Sequence, residues 1–230
     1  VTKAPEFEIP IRYAAADYDY DRDAELFTYD DGGRRGNRLY QIPRTKEELE
    51  TRVRLLRNVS IVSATVSGLF ALLNVKDRIG QVKPEYGENI QRLYEHCRDN
   101  DLRIAEVITD AKGDRSRHPL KQDDPDLYLR IVERRDDGIV VRGAKLHITG
   151  AALVHELVAL PTKSMGEGEE DYAVAFSIPV ATKGIKIINR DYGEPGRSSF
   201  DYPISGRKSM PEGFIVFDDV FIPKDRIFLC

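Results

Sequence analysis

The stretch Asp124-Pro-Asp-Leu-Tyr-Leu-Arg-Ile-Val-Glu-Arg-Arg-Asp-Asp-Gly-Ile-Val-Val-Arg-Gly-Ala-Lys145 decides the fold class. Two runs rich in Val, Ile and Leu flank Asp136-Asp137-Gly138, a tight-turn signature of the positive-φ kind, so the pair reads as a β-hairpin. Outward from it, similar short runs recur at Arg103–Thr109, Leu127–Glu133, Ile139–Ile148, Ala152–Leu160, Tyr172–Ile178, Gly184–Ile188 and Phe214–Phe221. Turn residues at Gly166–Glu170, Ala181–Gly184 and Gly193–Ser199 separate the later ones. Strands at this spacing predict an antiparallel sandwich or a small barrel.

Upstream the period changes. Thr45-Lys-Glu-Glu48 is a capping box, and Leu49, Val53, Leu56, Val59, Val62, Val66, Leu69 and Leu73 follow at helical spacing. One long helix is expected there, with Gly68 inside it marking a close approach by backbone or ligand. A second helix is expected from Pro84 through Ile90, Leu93 and Cys97 to Asn100. Residues 1–44 show no period. Their Asp17–Glu25 acidic cluster, interleaved with Tyr13, Tyr18 and Tyr20, reads as a solvated arm, with a turn at Asp31-Gly32-Gly33. The chain is therefore expected to be α+β, with an N-terminal arm and helical domain (1–101) before a central β-domain (102–230).

Composition narrows the function classes. With 35 Lys and Arg against 39 Asp and Glu, the chain is not a globally basic nucleic-acid binder. Cys97 and Cys230 stand far apart, which argues against structural zinc and a disulfide scaffold. No apolar run reaches the ~18 residues of a membrane span, and the chain reads as cytosolic. The apolar end Ile227-Phe-Leu-Cys230 is expected to belong to a longer fold. No phosphate-loop, zincin or hydrolase motif is present, and the Asn58-Val59-Ser60 sequon falls within the helical pattern.

Three polar stretches could carry chemistry. Thr109-Asp-Ala-Lys-Gly-Asp-Arg-Ser116 follows the first strand and can present backbone amides and cations to an anionic or heteroaromatic ligand; the ordinary alternative is a solvated, salt-bridged turn. Lys145, His147 and Thr149 alternate along one strand, a pattern expected on a solvent face. His155-Glu156 could bind a metal or shuttle a proton, or His155 could simply be a satisfied core residue.

Taken in order, these stretches resemble one flavoprotein family, that of 4-hydroxyphenylacetate 3-monooxygenase and 4-hydroxybutyryl-CoA dehydratase. The likeness rests on residues 109–116 and 124–145, on His147-Ile-Thr-Gly-Ala151 and His155-Glu-Leu-Val-Ala-Leu-Pro-Thr162, and on Asp201-Tyr-Pro-Ile-Ser-Gly-Arg207 and Phe214-Ile-Val-Phe-Asp-Asp-Val-Phe-Ile-Pro223. It covers roughly 45–230. The resemblance implies an acyl-CoA-dehydrogenase-like architecture whose C-terminal helical bundle is absent, in a homotetramer. It places FAD contacts on Glu106, Val107, Ile108, Lys112, Gly113, Asp114, Arg115 and Thr149. The implied chemistry is that of a two-component hydroxylase, in which a separate flavin reductase supplies reduced FAD and a small-molecule substrate is oxygenated.

The sequence departs from the family at its catalytic positions. The helix segment Ser63–Leu73 has neither the Arg nor the Tyr of the hydroxylases, and Glu106 stands where they carry a His. The dehydratases' cluster cysteines fall at about Val62, Val66 and Thr162, leaving only a histidine, His155, so no iron–sulfur cluster is expected. Glu106 is thus the candidate base and His155 a candidate pocket residue, and the apolar helix face around Gly68 and Phe70 points to a substrate less polar than hydroxyphenylacetate. A dehydratase or isomerase lineage without its cluster, and a non-catalytic flavin-fold subunit, are the alternative readings.

Overall fold

A computed structural model describes residues 4–190 and 198–230. The expected turn at Gly193–Ser199 lies mostly outside the described residues. The N-terminal segment, expected as a solvated arm with its tyrosines packed on a neighbour, keeps most of its acidic residues exposed and its tyrosines packed, but it has regular structure. It forms α1 (Glu8–Ala15), α2 (Ala24–Phe27) and a small hairpin of β1 (Thr28–Asp30) and β2 (Arg35–Asn37), turned by Gly32 and Gly33 at φ 65° and 86°. Asp17 is 1% exposed and accepts hydrogen bonds from the Ser60 amide (2.9 Å) and hydroxyl. Tyr20 donates to the Asp101 carboxylate, and the buried Arg103 guanidinium pairs with Asp101 (2.8 Å) beneath the Tyr18 ring. Of the acidic cluster, Asp17 is thus a buried acceptor, whereas Asp19, Asp21, Asp23 and Glu25 are exposed as the sequence suggests.

The Thr45 capping box forms: the Glu48 amide donates to the Thr45 hydroxyl (3.2 Å), and the Thr45 amide donates to the Glu48 carboxylate (3.1 Å). The expected single helix, however, is three: α3 (Lys46–Leu56), α4 (Ile61–Ala64) and α5 (Ser67–Gly80). It breaks at Arg57–Ser60, where the Asn58 side chain turns back to the Arg54 carbonyl and Asp17 takes the Ser60 amide. The buried face of α3 is Arg52 and Leu55, whereas Leu49 and Val53 are 52% and 45% exposed. Arg52 earns its burial by donating to the Leu39 carbonyl and the Ser67 hydroxyl. Helix α6 (Pro84–Asp99) matches the expected second helix.

The remaining elements are β3 (Ile104–Val107), β4 (Arg130–Arg135), β5 (Gly138–Thr149), β6 (Glu156–Ala159), β7 (Ala175–Pro179), β8 (Ile185–Arg190), a short α7 (Ser205–Lys208), β9 (Glu212–Pro223) and β10 (Ile227–Leu229).

 The strands build two four-stranded sheets, in the orders β10-β7-β6-β3 and β4-β5-β9-β8. These stack as a sandwich, and among the described residues neither sheet closes into a barrel. The sheets are not wholly antiparallel either, because β3 runs parallel to β6 in the register Ile104↔Glu156 to Val107↔Ala159.

Ala105, Val107, Leu157 and Phe176 of the first sheet face Val141, Ile148, Ile215 and Phe217 of the second, with Phe176 and Phe217 edge-on at 6.0 Å. The other face of the first sheet, through Ile104, Val158, Ala175 and Phe228, packs on Leu55, Val66, Leu69, Leu93 and Cys97 of the helical part. The layers are therefore helix, sheet and sheet. The apolar run at Ile227–Leu229 is β10, and Phe228 is 1% exposed.

The Asp136–Gly138 hairpin forms with Arg135 opposite Gly138, but none of its three residues takes a positive φ. Gly138 is needed for a different reason: a Cβ there would overlap the Ile222 carbonyl of β9. Close approach, not turn handedness, selects that glycine.

Candidate functional site

Strand β3 buries all its side chains except Glu106, which is half-buried. The Thr65 hydroxyl, in the link between α4 and α5, donates to the Ile104 carbonyl (2.7 Å) and holds the strand against the start of α5. There the Glu106 carboxylate lies on Gly68. A Cβ built on Gly68 would overlap Glu106 Oε1 and stand 2.8 Å from its Cδ. Among the described residues no hydrogen bond or ion pair reaches this carboxylate. Burial raises its pKa. Phe70, two residues on, packs under the Arg52 guanidinium (4.2 Å) and edge-on to Tyr94 (6.1 Å).

The chain leaves β3 through Val107, which is fully buried, and Ile108, and enters the loop 109–116. The amides of Ala111 and Lys112 both donate to the Leu127 carbonyl, at 3.0 and 3.4 Å. Lys112 and Gly113 then take left-handed φ values of 71° and 52° in succession. Gly113 has no room for a side chain, because a Cβ would stand 2.6 Å from Leu127 and 2.5 Å from Gln122. The Gln122 amide ties the loop from inside, accepting from the Asp114 amide (3.0 Å) and donating to the Asp114 and Arg117 carbonyls (2.8 and 3.2 Å). Asp114 accepts from the Ser116 hydroxyl (2.7 Å) and amide (2.9 Å), which hold its carboxyl below the ordinary range, and it pairs with Arg117 at 3.2 Å.

The salt-bridged turn is therefore real at Asp114 and Arg117. It leaves Lys112 and Arg115 with no carboxylate at ion-pair distance among the described residues. Two cations without an ion pair among the described residues, beside the left-handed step at Lys112 and Gly113, form a surface suited to an anion.

Lys145 is not on a solvent face, contrary to the alternation read from the sequence. The β5–β9 register shifts between Lys145 and Ile148, and His147 takes φ 58°. This bulge leaves His147 exposed and turns Lys145 inward, where it is 1% exposed. Its ammonium pairs with the equally buried Asp110 at 2.8 Å. A separate register shift lies between Val141 and Gly143, where Gly143 takes φ 138° against the Tyr128–Leu129 backbone.

Thr149 closes β5, and its hydroxyl donates to the Glu212 carboxylate. Beside it Gly150 faces Val62 of α4, since a Cβ there would stand 2.7 Å from the valine methyl. His155 is placed elsewhere. Its Nδ1 accepts the Arg103 amide (3.0 Å) at the opening of β3, three residues from Glu106 and so about 10 Å along the strand at ~3.3 Å per residue. Burial, then the Arg103 charge, lowers its pKa. Among the described residues no group of three or more His, Cys, Asp or Glu side chains is arranged to hold a metal ion, and Val62 and Val66 are core residues, 2% and 0% exposed.

The residues expected to contact FAD thus divide. Lys112, Gly113, Asp114 and Arg115 share one rigid loop that continues from Glu106, Val107 and Ile108. Lys112 and Arg115 fit a phosphate, whereas the Thr149 proton is already committed to Glu212.

The chain is similar to known proteins along almost its whole length. The family described as 4-hydroxyphenylacetate 3-hydroxylase N terminal matches residues 1–229. The chain is 32% identical over 236 residues to the oxygenase component of 4-hydroxyphenylacetate 3-monooxygenase from Thermus thermophilus, covering 99% of this chain and 49% of the relative. It is 36% identical over 213 residues to 4-hydroxybutyryl-CoA dehydratase/vinylacetyl-CoA-Δ-isomerase from Clostridium aminobutyricum, covering 86% of this chain and 43% of the relative. A crystal structure of a 4-hydroxyphenylacetate 3-monooxygenase oxygenase component complexed with FAD superposes with a TM-score of 0.87 at 32% identity, over 99% of this chain and 49% of that one. The chain spans about half the length of the curated relatives it matches.

Proposed function

The chain belongs to the 4-hydroxyphenylacetate 3-hydroxylase N-terminal family, and on that premise we propose that the protein carrying it is an FAD-dependent oxygenase component acting on a phenolic small molecule. One observation carries the reading: a loop whose cations Lys112 and Arg115 have no carboxylate at ion-pair distance among the described residues continues directly from a strand bearing the half-buried carboxylate of Glu106, which no hydrogen bond or ion pair reaches among those residues. Lys112 and Arg115 would hold the cofactor's phosphates, and the backbone of 106–108 and 112–114 would line its polar edge. Reduced FAD, supplied by a separate reductase, brings the electrons that activate oxygen.

Glu106 is assigned the proton-accepting role. Its carboxylate is held on Gly68 without a competing donor, and desolvation moves its pKa toward that of a working base. There it would take the proton of a substrate hydroxyl. His155 stands outside this group and is assigned to the start of β3, where its acceptor nitrogen holds the Arg103 amide. A cytoplasmic homo-oligomer is the expected setting; no helix among the described residues is long and apolar enough to cross a membrane.

The test is oxygen uptake by the full-length protein with a flavin reductase and a panel of para-substituted phenols. Substrate-dependent uptake with catechol formation supports the reading. Absence of both flavin binding and hydroxylation would refute it. The 36% identity to the dehydratase/isomerase favours a second reading, chemistry on a CoA ester, and anaerobic conversion of 4-hydroxybutyryl-CoA or vinylacetyl-CoA would select it.

A further inference from the structure

Parallel strands β3 and β6 end at Val107 and Ala159, and the next residues, Ile108 and Leu160, carry carbonyls beyond the ladder. Lys145 reaches them from β5 in the opposite sheet. Its ammonium donates to Ile108 O (2.8 Å) and Leu160 O (2.9 Å) and pairs with Asp110 Oδ1 (2.8 Å). An ammonium has three protons, and here it meets three acceptors. Asp110 Oδ1 also accepts the Leu129 amide (3.0 Å), which fixes the chain entering β4, and the Leu146 amide donates to the Thr109 carbonyl (2.7 Å). Both charged side chains are 2% exposed.

Stability alone gives a weak reason for such a pair, because well-packed apolar residues often replace a buried ion pair without loss. Its location gives a stronger one. The pair sits under residues 108–110, two residues before the left-handed step at Lys112 and Gly113 that presents the loop's cations. It also neutralises Asp110, which would otherwise place a negative charge beneath an anion-binding surface.

We propose that Lys145 and Asp110 are a positioning pair that sets the backbone of the cofactor-binding loop and screens it from a buried negative charge. The inference rests on the flavin reading above. The backbone of 108–113 is built from both sheets at once, so its geometry follows from their stacking rather than from the loop's own sequence.

The experiment uses the full-length protein and FAD itself as the probe. Lys145→Met and Asp110→Asn are each expected to raise the FAD dissociation constant about tenfold or more, roughly one hydrogen bond's share of affinity. Titration is done well below the melting temperature of each variant, so that loss of fold does not enter. Lys145→Met is expected to weaken binding more than Asp110→Asn, because it strands the negative charge; a merely structural role would lower the melting temperature without this order. Affinities within twofold of wild type in folded variants would overturn the proposal. Should either variant fail to fold, amide exchange in the wild type decides: FAD should protect residues 108–116, and protection confined to other segments would overturn it. If the wild type binds no FAD, the functional reading fails, and this inference with it.

Discussion

Gly68→Ala separates the position of the Glu106 carboxylate from the stability of the fold. The new methyl would overlap Glu106 Oε1 and stand 2.8 and 3.0 Å from Cδ and Cγ. These atoms are the far end of a flexible side chain, so the carboxylate yields rather than the backbone. Forcing the side chain off its rotamer costs about 0.5–1.5 kcal/mol. Alanine in place of glycine within a helix returns about 0.8–1 kcal/mol. The two nearly cancel, and a residual of about 1 kcal/mol corresponds to a melting shift of only about 2–4 °C in a chain of this size.

The carboxylate, however, leaves the half-buried place that raises its pKa. A carboxyl titration by NMR on glutamate-labelled protein should show Glu106 falling back toward the ordinary range. On the proposed function, turnover of the full-length protein at saturating flavin should fall by about 100-fold or more, the usual contribution of a positioned base. Glu106→Gln should match that loss. It should also remove a pH term: a raised native pKa means stability that is full below the ordinary Glu pKa and is lost as pH rises through the native value. A large melting drop in Gly68→Ala would show that the backbone gave way. An unchanged saturated rate alongside a displaced carboxylate would refute the catalytic assignment.

Asp17→Ala leaves the Ser60 amide and hydroxyl without their buried acceptor, so it should cost about 2–3 kcal/mol in urea unfolding; a loss under about 0.5 kcal/mol would contradict the packed reading of the N-terminal segment. His155 has a lowered native pKa, so its contribution to stability is present above the ordinary His value and lost as pH falls through the native one; His155→Gln should flatten that acid-side loss, measured by melting temperature against pH. Cys97 is fully buried with its thiol pushed up to about 12, so in the native protein a thiol reagent should modify Cys230 well before Cys97, and equal rates would show that the core around α6 opens.

The sequence by itself determined the elements whose cause is local. The capping box at Thr45 and Glu48 and the Pro84 helix follow from neighbouring groups and from the spacing of apolar residues, and the hairpin around Asp136 from the apolar runs that flank it, although its glycine answers to β9. The polar run 109–116 was legible as a loop for the same reason, since its glycine and charges cannot continue a buried strand. Tertiary structure decided which polar groups are buried and what they meet. Lys145 looks solvent-facing until the bulge at His147 shifts its register, because a one-residue slip exchanges the two faces of a strand. Asp17 reads as surface charge until Ser60, far along the chain, supplies its donors. The carboxylate of Glu106 and the missing side chain of Gly68 have meaning only together. Their contact depends on how a helix is laid against a strand, and no local pattern in either segment records that placement.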